Sequence, residues 1–150
     1  MNAEAPFDVR PARESDSEEI AQFLQPFVSE RAILPRSTAE ISALMQNGFV
    51  AVVDEKIIGC AAVEIYSQKL SEIQCLAVDQ ARQRQGVGRA LVGACLARAG
   101  QLGVREVMAI TASDSLFLSS GFQYGLPGQK KALFCQIADK PPLSDEKERA

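Results

Sequence analysis

The sequence predicts an α/β (α+β) domain, and three observations carry that prediction. The middle of the chain holds three β-rich runs, Phe49–Val53, Ile57–Tyr66 and Glu72–Val78, and the polar Asp54-Glu55-Lys56 between the first two signals a hairpin. Apolar residues at helical spacing lie on both sides, with Ile20, Phe23, Leu24 and Phe27 before the runs and Leu91, Val92, Cys95, Leu96 and Ala99 after them. The length, 150 residues, suits one sizeable core and is too short for two ordinary domains.

Phe7 to Ala12 alternates weakly and reads as a first strand. Asp16 reads as an N-cap, with Glu19 completing a capping box ahead of the first helix, and Pro26 is expected to end or kink that helix. Ser37 and Glu40 form a second capping box opening a short helix with Ile41, Leu44 and Met45 on one face. After the three β-rich runs, Asp79 begins a polar loop rich in Arg and Gln, and a helix follows from Gly88 to Gln101, bracketed at its end by Gly100 and Gly103. Glu106–Thr111 reads as a strand, Asp114 to Gly121 as a short capped helix, and Lys131–Ile137 as a last strand, with one more short strand considered at Phe122–Tyr124. From Asp139 the chain carries Pro141-Pro142, mixed charge and little apolar content, so residues 1–138 are read as the domain and 139–150 as a flexible tail.

Composition narrows the chemistry. The apolar fraction is 47% and the charged fraction 23%, which argues against disorder and fibrous repeats. A net charge of −3 argues against a nucleic-acid footprint over the whole surface. There is no His, which removes Ser–His and Cys–His nucleophile pairs and imidazole-based metal sites, so no metal is expected. The four cysteines, Cys60, Cys75, Cys95 and Cys135, are widely spaced within apolar runs and read as small reduced hydrophobes. The chain start shows no basic segment leading into a hydrophobic stretch, and the longest apolar runs fall far short of a membrane span. A cytoplasmic protein with no membrane or nucleic-acid partner is expected.

The informative segment runs from Glu72-Ile73-Gln74-Cys75-Leu76-Ala77-Val78-Asp79 through Arg82 into Gln83-Arg84-Gln85-Gly86-Val87-Gly88-Arg89. A strand enters a glycine-bearing turn that opens a helix. The first amides of a helix lack internal partners and its dipole adds positive charge there, so such a turn cradles anions. Gly86 and Gly88 would let a phosphate approach the backbone, and Arg82, Arg84 and Arg89 concentrate positive charge in an acidic chain. A pyrophosphate is the natural guest. The third glycine of a dinucleotide fingerprint is missing and no Gly-Lys-Ser/Thr follows, so neither the Rossmann nor the P-loop pattern applies. On the glycines alone, a tight strand–helix turn with solvated arginines accounts for the segment better.

Gln83-x-x-Gly86-x-Gly88 resembles the [Q/R]-x-x-G-x-[G/A] pyrophosphate loop of the GNAT family of acetyl-CoA-dependent N-acetyltransferases. The resemblance covers about Val9 to Ile137, including the preceding strand, the amphipathic helix, the next strand and the Ser119-Ser120-Gly121-Phe122 ending. It implies a mixed, mostly antiparallel sheet of six to seven strands flanked by about four helices. Arg10-Pro11-Ala12-Arg13, Leu34-Pro35-Arg36-Ser37, Ile58–Val63 and Glu72-Ile73 are most similar to short N-acetylglutamate synthase-type domains that lack an amino-acid-kinase-like domain. The resemblance therefore implies acetyl-CoA as co-substrate, a small-molecule amine as acceptor with glutamate favoured, and a place in arginine biosynthesis. Dimers are common in such folds, and a homodimer is expected by that analogy alone.

Several roles follow from the resemblance. An amine with a pKa near that of lysine is mostly protonated at pH 7, so a base must remove a proton before attack. Glu72 matches the position of a base acting through water, and Glu64 is a second carboxylate of the same kind on the neighbouring strand. The thioester oxygen needs fixed donors, which in the family are backbone amides of the strand before the loop, here Leu76, Ala77 and Val78. Gln83, Arg84, Gln85, Gly86, Val87, Gly88 and Arg89 would hold the pyrophosphate. Many members carry a Tyr four residues before the glycine of the ending, where this chain has Phe117, which would pack against pantetheine or core. A thiolate with a pKa of about 8.5 leaves with little help, and Tyr124, Ser119 or water could assist. Arg36 sits where the resemblance puts an arginine for the acceptor's carboxylate, with Lys69 and Arg31 as further cations. Cys75 has no base partner and is not read as a nucleophile. Acetylation of another amine (a polyamine, a drug, a protein N-terminus) and a catalytically weak acyl-CoA sensor are the alternatives, the latter kept alive by Phe117.

Overall fold

The computed structural model describes residues 6–125, 128 and 132–135. In chain order the elements are β1 (Asp8–Pro11), α1 (Ser17–Ser29), α2 (Thr38–Leu44), β2 (Gly48–Val53), β3 (Lys56–Ile65), β4 (Leu70–Val78), α3 (Val87–Gln101), β5 (Glu106–Met108) and α4 (Ser115–Ser119). The strands form one sheet in the order β1-β2-β3-β4-β5. β1 to β4 pair antiparallel, and β5 joins β4 in parallel through Leu70↔Glu106, Ser71↔Val107 and Glu72↔Met108. The mixed sheet agrees with expectation, but the described residues contain five strands where six to seven were expected. Phe122–Tyr124 is not a strand, because Gly121 takes a left-handed φ of 99° and the Phe122 amide turns back to the Phe117 carbonyl at 3.0 Å. β5 ends at Met108, short of Thr111. Of the expected last strand at 131–137, residues 132–135 carry no strand and the rest lie outside the described residues, as does the expected tail.

Each sheet face has its own apolar core. Ala51, Ala61, Val63 and Ile73 point toward α3 and α4, where Leu91, Val92, Cys95 and Phe117 meet them. Val50, Cys60, Ala62 and Ala77 point the other way, against Ile20 and Leu24 of α1 and Ile41 of α2. α3 can approach the sheet closely because Gly59 has no side chain: a Cβ there would lie 3.1 Å from Leu91 Cδ1 and 3.2 Å from Val87 Cγ1.

Of the three expected helix caps only the Ser37–Glu40 box forms; Asp114 precedes α4 but makes no side-chain cap bond, and α4 ends at Ser119 rather than at Gly121. Ser37 and Glu40 form the capping box, with Glu40 N–H donating to Ser37 Oγ at 3.1 Å and Ser37 N–H donating to Glu40 Oε1 at 3.0 Å. Asp16 makes no side-chain cap to α1. Its carboxylate instead accepts two bonds from the Arg10 guanidinium, at 2.8 and 3.0 Å, and one from the Arg13 amide at 2.6 Å. A forked charge-assisted pair out-competes a single helix amide for the same oxygens. Pro26 also does not end α1, which runs on to Ser29. Its missing donor falls in the last turn, and that turn is held by Phe23 packing on Phe27 at 5.4 Å and by the Ala32 amide donating to the Phe27 carbonyl at 2.9 Å.

Two stability tests follow. Gly59→Ala should cost about 1–3 kcal/mol through overpacking, whereas Gly93→Ala, where a Cβ meets nothing within 4 Å on α3, should be neutral or gain about 0.5–1 kcal/mol; denaturant titration separates them. The Arg10 hydrogen bond holds the Asp16 carboxyl below its ordinary range. Its contribution is therefore present above the ordinary carboxylate pKa and lost as pH falls through the lowered one. Asp16→Asn should destabilise the fold by about 1 kcal/mol at pH 7, and the gap to wild type should close on acidification.

Candidate active site

β4 carries a bulge that organises the site. Cys60 pairs with Ala77 and Ala62 with Gln74, so Cys75 and Leu76 together face Ala61. Cys75 takes a left-handed φ of 57°. Before the bulge Ile73 faces α3, and after it Leu76 does, while Cys75 and Ala77 face the α1–α2 side. Two successive residues, Gln74 and Cys75, are thereby brought to the face that Arg36 reaches from the α1–α2 connection. Arg36 Nη1 donates to Cys75 Sγ at 3.2 Å and to the Leu34 carbonyl at 3.4 Å, and Nη2 donates to Gln74 Oε1.

From Gln74 the network runs along the sheet. Its amide nitrogen donates to Glu64 Oε2 and, at 3.0 Å, to the Tyr66 hydroxyl. Glu64 and Glu72 are direct cross-strand partners. The Tyr66 hydroxyl lies 2.6 Å from Glu72 Oε1 and 3.2 Å from Glu64 Oε2. The bond to Glu72, with some burial and both carboxylate charges, pushes the Tyr66 phenol up to about 12. Burial pushes the Cys75 thiol up as well, against the opposing pull of Arg36, which fits an inert thiol. A cavity of about 590 Å³ opens on this face, with Arg36, Glu64 and Gln74 among its lining residues. Glu72 is joined to it through Tyr66. Lys69 and Arg31 are both exposed, in the β3–β4 turn and just past α1.

The far end of β4 leads into the loop. β5 pairs β4 only over Leu70–Glu72, so the stretch with Leu76, Ala77 and Val78 has no partner strand on that side among the described residues. Asp79 Oδ1 accepts from the Ala81 amide at 3.1 Å, and Gln83 and Gln85 side chains donate to the Val78 and Ala81 carbonyls at 3.4 and 3.3 Å. Arg84 has a left-handed φ of 66°, as does Gly86 at 87°. Gly86 is the N-cap of α3, no side chain caps the helix, and a Cβ there would meet nothing. The backbone at the helix start is thus uncovered, as a phosphate cradle requires. Arg84 and Arg89 are exposed and Val87 is buried in the core beneath them. Gly88 does different work: a Cβ there would lie 3.1 Å from Leu116 Cδ2, so its bareness admits α4. Phe117 is buried and packs edge-on against Phe122 at 5.2 Å, a core position. Ser119 Oγ donates to the Leu116 carbonyl, and the exposed Tyr124 hydroxyl donates to Asp114.

An open strand edge running into an uncapped, glycine-started helix, with carboxylates at the strand's other end, is the arrangement a transferase with a phosphate-bearing donor would need. The model of the acetyltransferase (GNAT) family matches residues 15–122, and the chain belongs to that family. It is 34% identical to an uncharacterized N-acetyltransferase of Chlorobaculum tepidum, over 77% of this chain and 74% of that one. It is 30% identical to an amino-acid acetyltransferase of Mycobacterium tuberculosis, over 79% and 72% respectively. Among solved structures, Rv2747 of M. tuberculosis in complex with CoA and NLQ superposes with a TM-score of 0.72 at 29% identity, over 81% of this chain and 76% of that one. N-acetylglutamate synthase of Neisseria gonorrhoeae, complexed with CoA and N-acetyl-glutamate, shares the fold at a TM-score of 0.69 and 24% identity, over 79% of this chain and 28% of that one. The protein is an acetyl-CoA-dependent N-acetyltransferase similar to the amino-acid acetyltransferases.

Sequence reasoning did not single out Gln74 or Tyr66. The signal was in the alternation: Glu64 lies two residues before Tyr66, just past the end of β3, and its register partner Glu72 lies two residues before Gln74 on the same face of β4.

Proposed function

We propose that the protein transfers acetyl from acetyl-CoA to the amine of a small amino acid, glutamate favoured, by direct attack in a ternary complex. The observation that carries the acceptor class is the state of Arg36. Its hydrogen-bond partners among the described residues are neutral (an amide oxygen, a carbonyl and a thiol), and it lines a cavity large enough for an amino acid. A half-buried guanidinium without a carboxylate partner keeps its charge for an anionic ligand. Similarity to an amino-acid acetyltransferase, at 30% identity, supports the same class.

The uncovered start of α3 fits a pyrophosphate, and the bare, left-handed Gly86 admits it. Gln83, Arg84, Gln85, Val87, Gly88 and Arg89 would complete that end, with Gly88 contributing through the seating of α4. The thioester supplies an activated acetyl carbon. Amides of Leu76, Ala77 and Val78, on the unpartnered edge of β4, would receive the carbonyl oxygen. Arg36 would hold the acceptor's carboxylate, and Glu72 would take the proton from its ammonium group through water. Phe117 serves by packing, so the thiolate leaves without a tyrosine acid.

Mass-spectrometric detection of acetylated product, with acetyl-CoA and a panel of free amino acids, tests the acceptor class. Arg36→Ala should lower kcat/KM for glutamate by about ten- to hundredfold or more, one to two lost charged hydrogen bonds, and leave a neutral amine little affected. Glutamate turnover that survives this change would remove the acceptor reading. Glu72→Gln should lower kcat by about 10²–10⁴-fold with acetyl-CoA affinity unchanged, and unchanged turnover would remove Glu72 as base.

A further inference from the structure

Glu64 and Glu72 stand directly opposite each other on neighbouring antiparallel strands. Like charges in that position repel, unless donors are placed between them. Two donors are present, and they divide the work. The Gln74 amide serves Glu64, and the Tyr66 hydroxyl lies between the pair with a single proton to give. At 2.6 Å against 3.2 Å, that proton belongs to Glu72. Gln74 also donates to the Tyr66 oxygen, which orients the hydroxyl proton away from itself and toward Glu72. The other end of Gln74 holds Arg36. One hydrogen-bonded line thus connects the cation of the acceptor cavity to the carboxylate read as the base.

We propose that Tyr66 is the positioning residue of acetyl transfer, its hydroxyl fixing one oxygen of Glu72 so that the other is held ready for the acceptor's proton. The inference rests on the reading of Glu72 as base. The proton balance is simple. An N–H bond of the acceptor ammonium breaks as its proton passes through a bridging water to form an O–H bond on Glu72, freeing the nitrogen lone pair to attack the acetyl carbon. As the C–S bond breaks and CoA leaves as thiolate, the nitrogen gives up its second proton, which passes through water to the thiolate, and Glu72 returns the first proton to solvent. The Tyr66 proton stays in place throughout, and the phenol, pushed up to about 12, is a donor at any working pH. The groups facing it are Glu64 from β3, Glu72 and Gln74 from β4, and Arg36 beyond Gln74. On the β5 side the register partner of Glu72 is the uncharged Met108, and Glu40 of α2, at the cavity wall, is occupied in its own helix cap.

Two measurements test this, and only one depends on turnover. The chain has two tyrosines, so in a Tyr124→Phe background the 295 nm absorbance change on rapid pH jumps reads Tyr66 alone. Glu72→Gln should bring its midpoint down from about 12 toward the ordinary value of about 10; an unmoved midpoint overturns the bridge whatever the acceptor is. In kinetics, Tyr66→Phe should lower kcat about ten- to hundredfold, the loss of one hydrogen bond to a charged group. The KM for acetyl-CoA should stay. Combining it with Glu72→Gln should add little to the Glu72→Gln loss. An unchanged kcat, a risen KM for acetyl-CoA or fully additive losses would overturn the positioning role. Should Arg36→Ala leave glutamate turnover intact, the acceptor reading falls, and the same kinetic test is decided with whichever amine the enzyme acetylates.

Discussion

One extra residue in β4 is the constraint on which both faces of the sheet depend. Cys75 and Leu76 together oppose Ala61, and Cys75 adopts a backbone conformation that costs a side-chain-bearing residue about 1–3 kcal/mol. The surroundings hold it there: the Cys60 thiol donates to the Cys75 carbonyl at 3.3 Å, the Arg36 guanidinium meets its sulfur, and the side chain is buried. Without the bulge, strict alternation would carry Ala77 and Cys75 to the α3 face and leave Leu76 facing α1 and α2. With it, the α1–α2 face is polar over Glu72 and Gln74 and apolar from Cys75 onward. A binding face and a core are thus joined on one strand.

That same change explains what could be read from the sequence. The three central strands, the Ser37–Glu40 cap and the glycine-started helix were legible because each is decided by neighbours close in the chain. The tie between Asp16 and Arg10 was not, since a local cap signal says nothing about a competing guanidinium folded in from β1. Glu64, Glu72 and Arg36 were visible as residue types with plausible roles. That Gln74 and Tyr66 knit them together was hidden, because it depends on the pairing register of β3 and β4 and on Arg36 arriving from the α1–α2 connection, neither of which one strand's alternation states. Gly86 and Gly88 show the same limit. Both belong to one motif, yet one is bare for the backbone's sake and the other for Leu116.

The placement of charge along β4 also bears on what kind of donor suits this protein. The strand is polar at its start, at Glu72, and leads at its end, past Val78, to the arginine-bearing loop and the start of α3. Six residues at about 3.3 Å each, less a little for the bulge, separate those ends by roughly 20 Å. A donor anchored by phosphate at the helix start and offering its acyl group to the Leu76–Val78 amides, with the acceptor between them and Glu72, would need a thin arm reaching back along β4. Acetyl phosphate has no such arm, while the pantetheine of acetyl-CoA is one. An arm lying along β4 would meet a strand edge that, among the described residues, β5 pairs only as far as Glu72. Had β5 stayed paired as far as Val78, that edge of the strand would be closed to a ligand; the pairing that stops after three residues leaves it accessible to the donor arm proposed above.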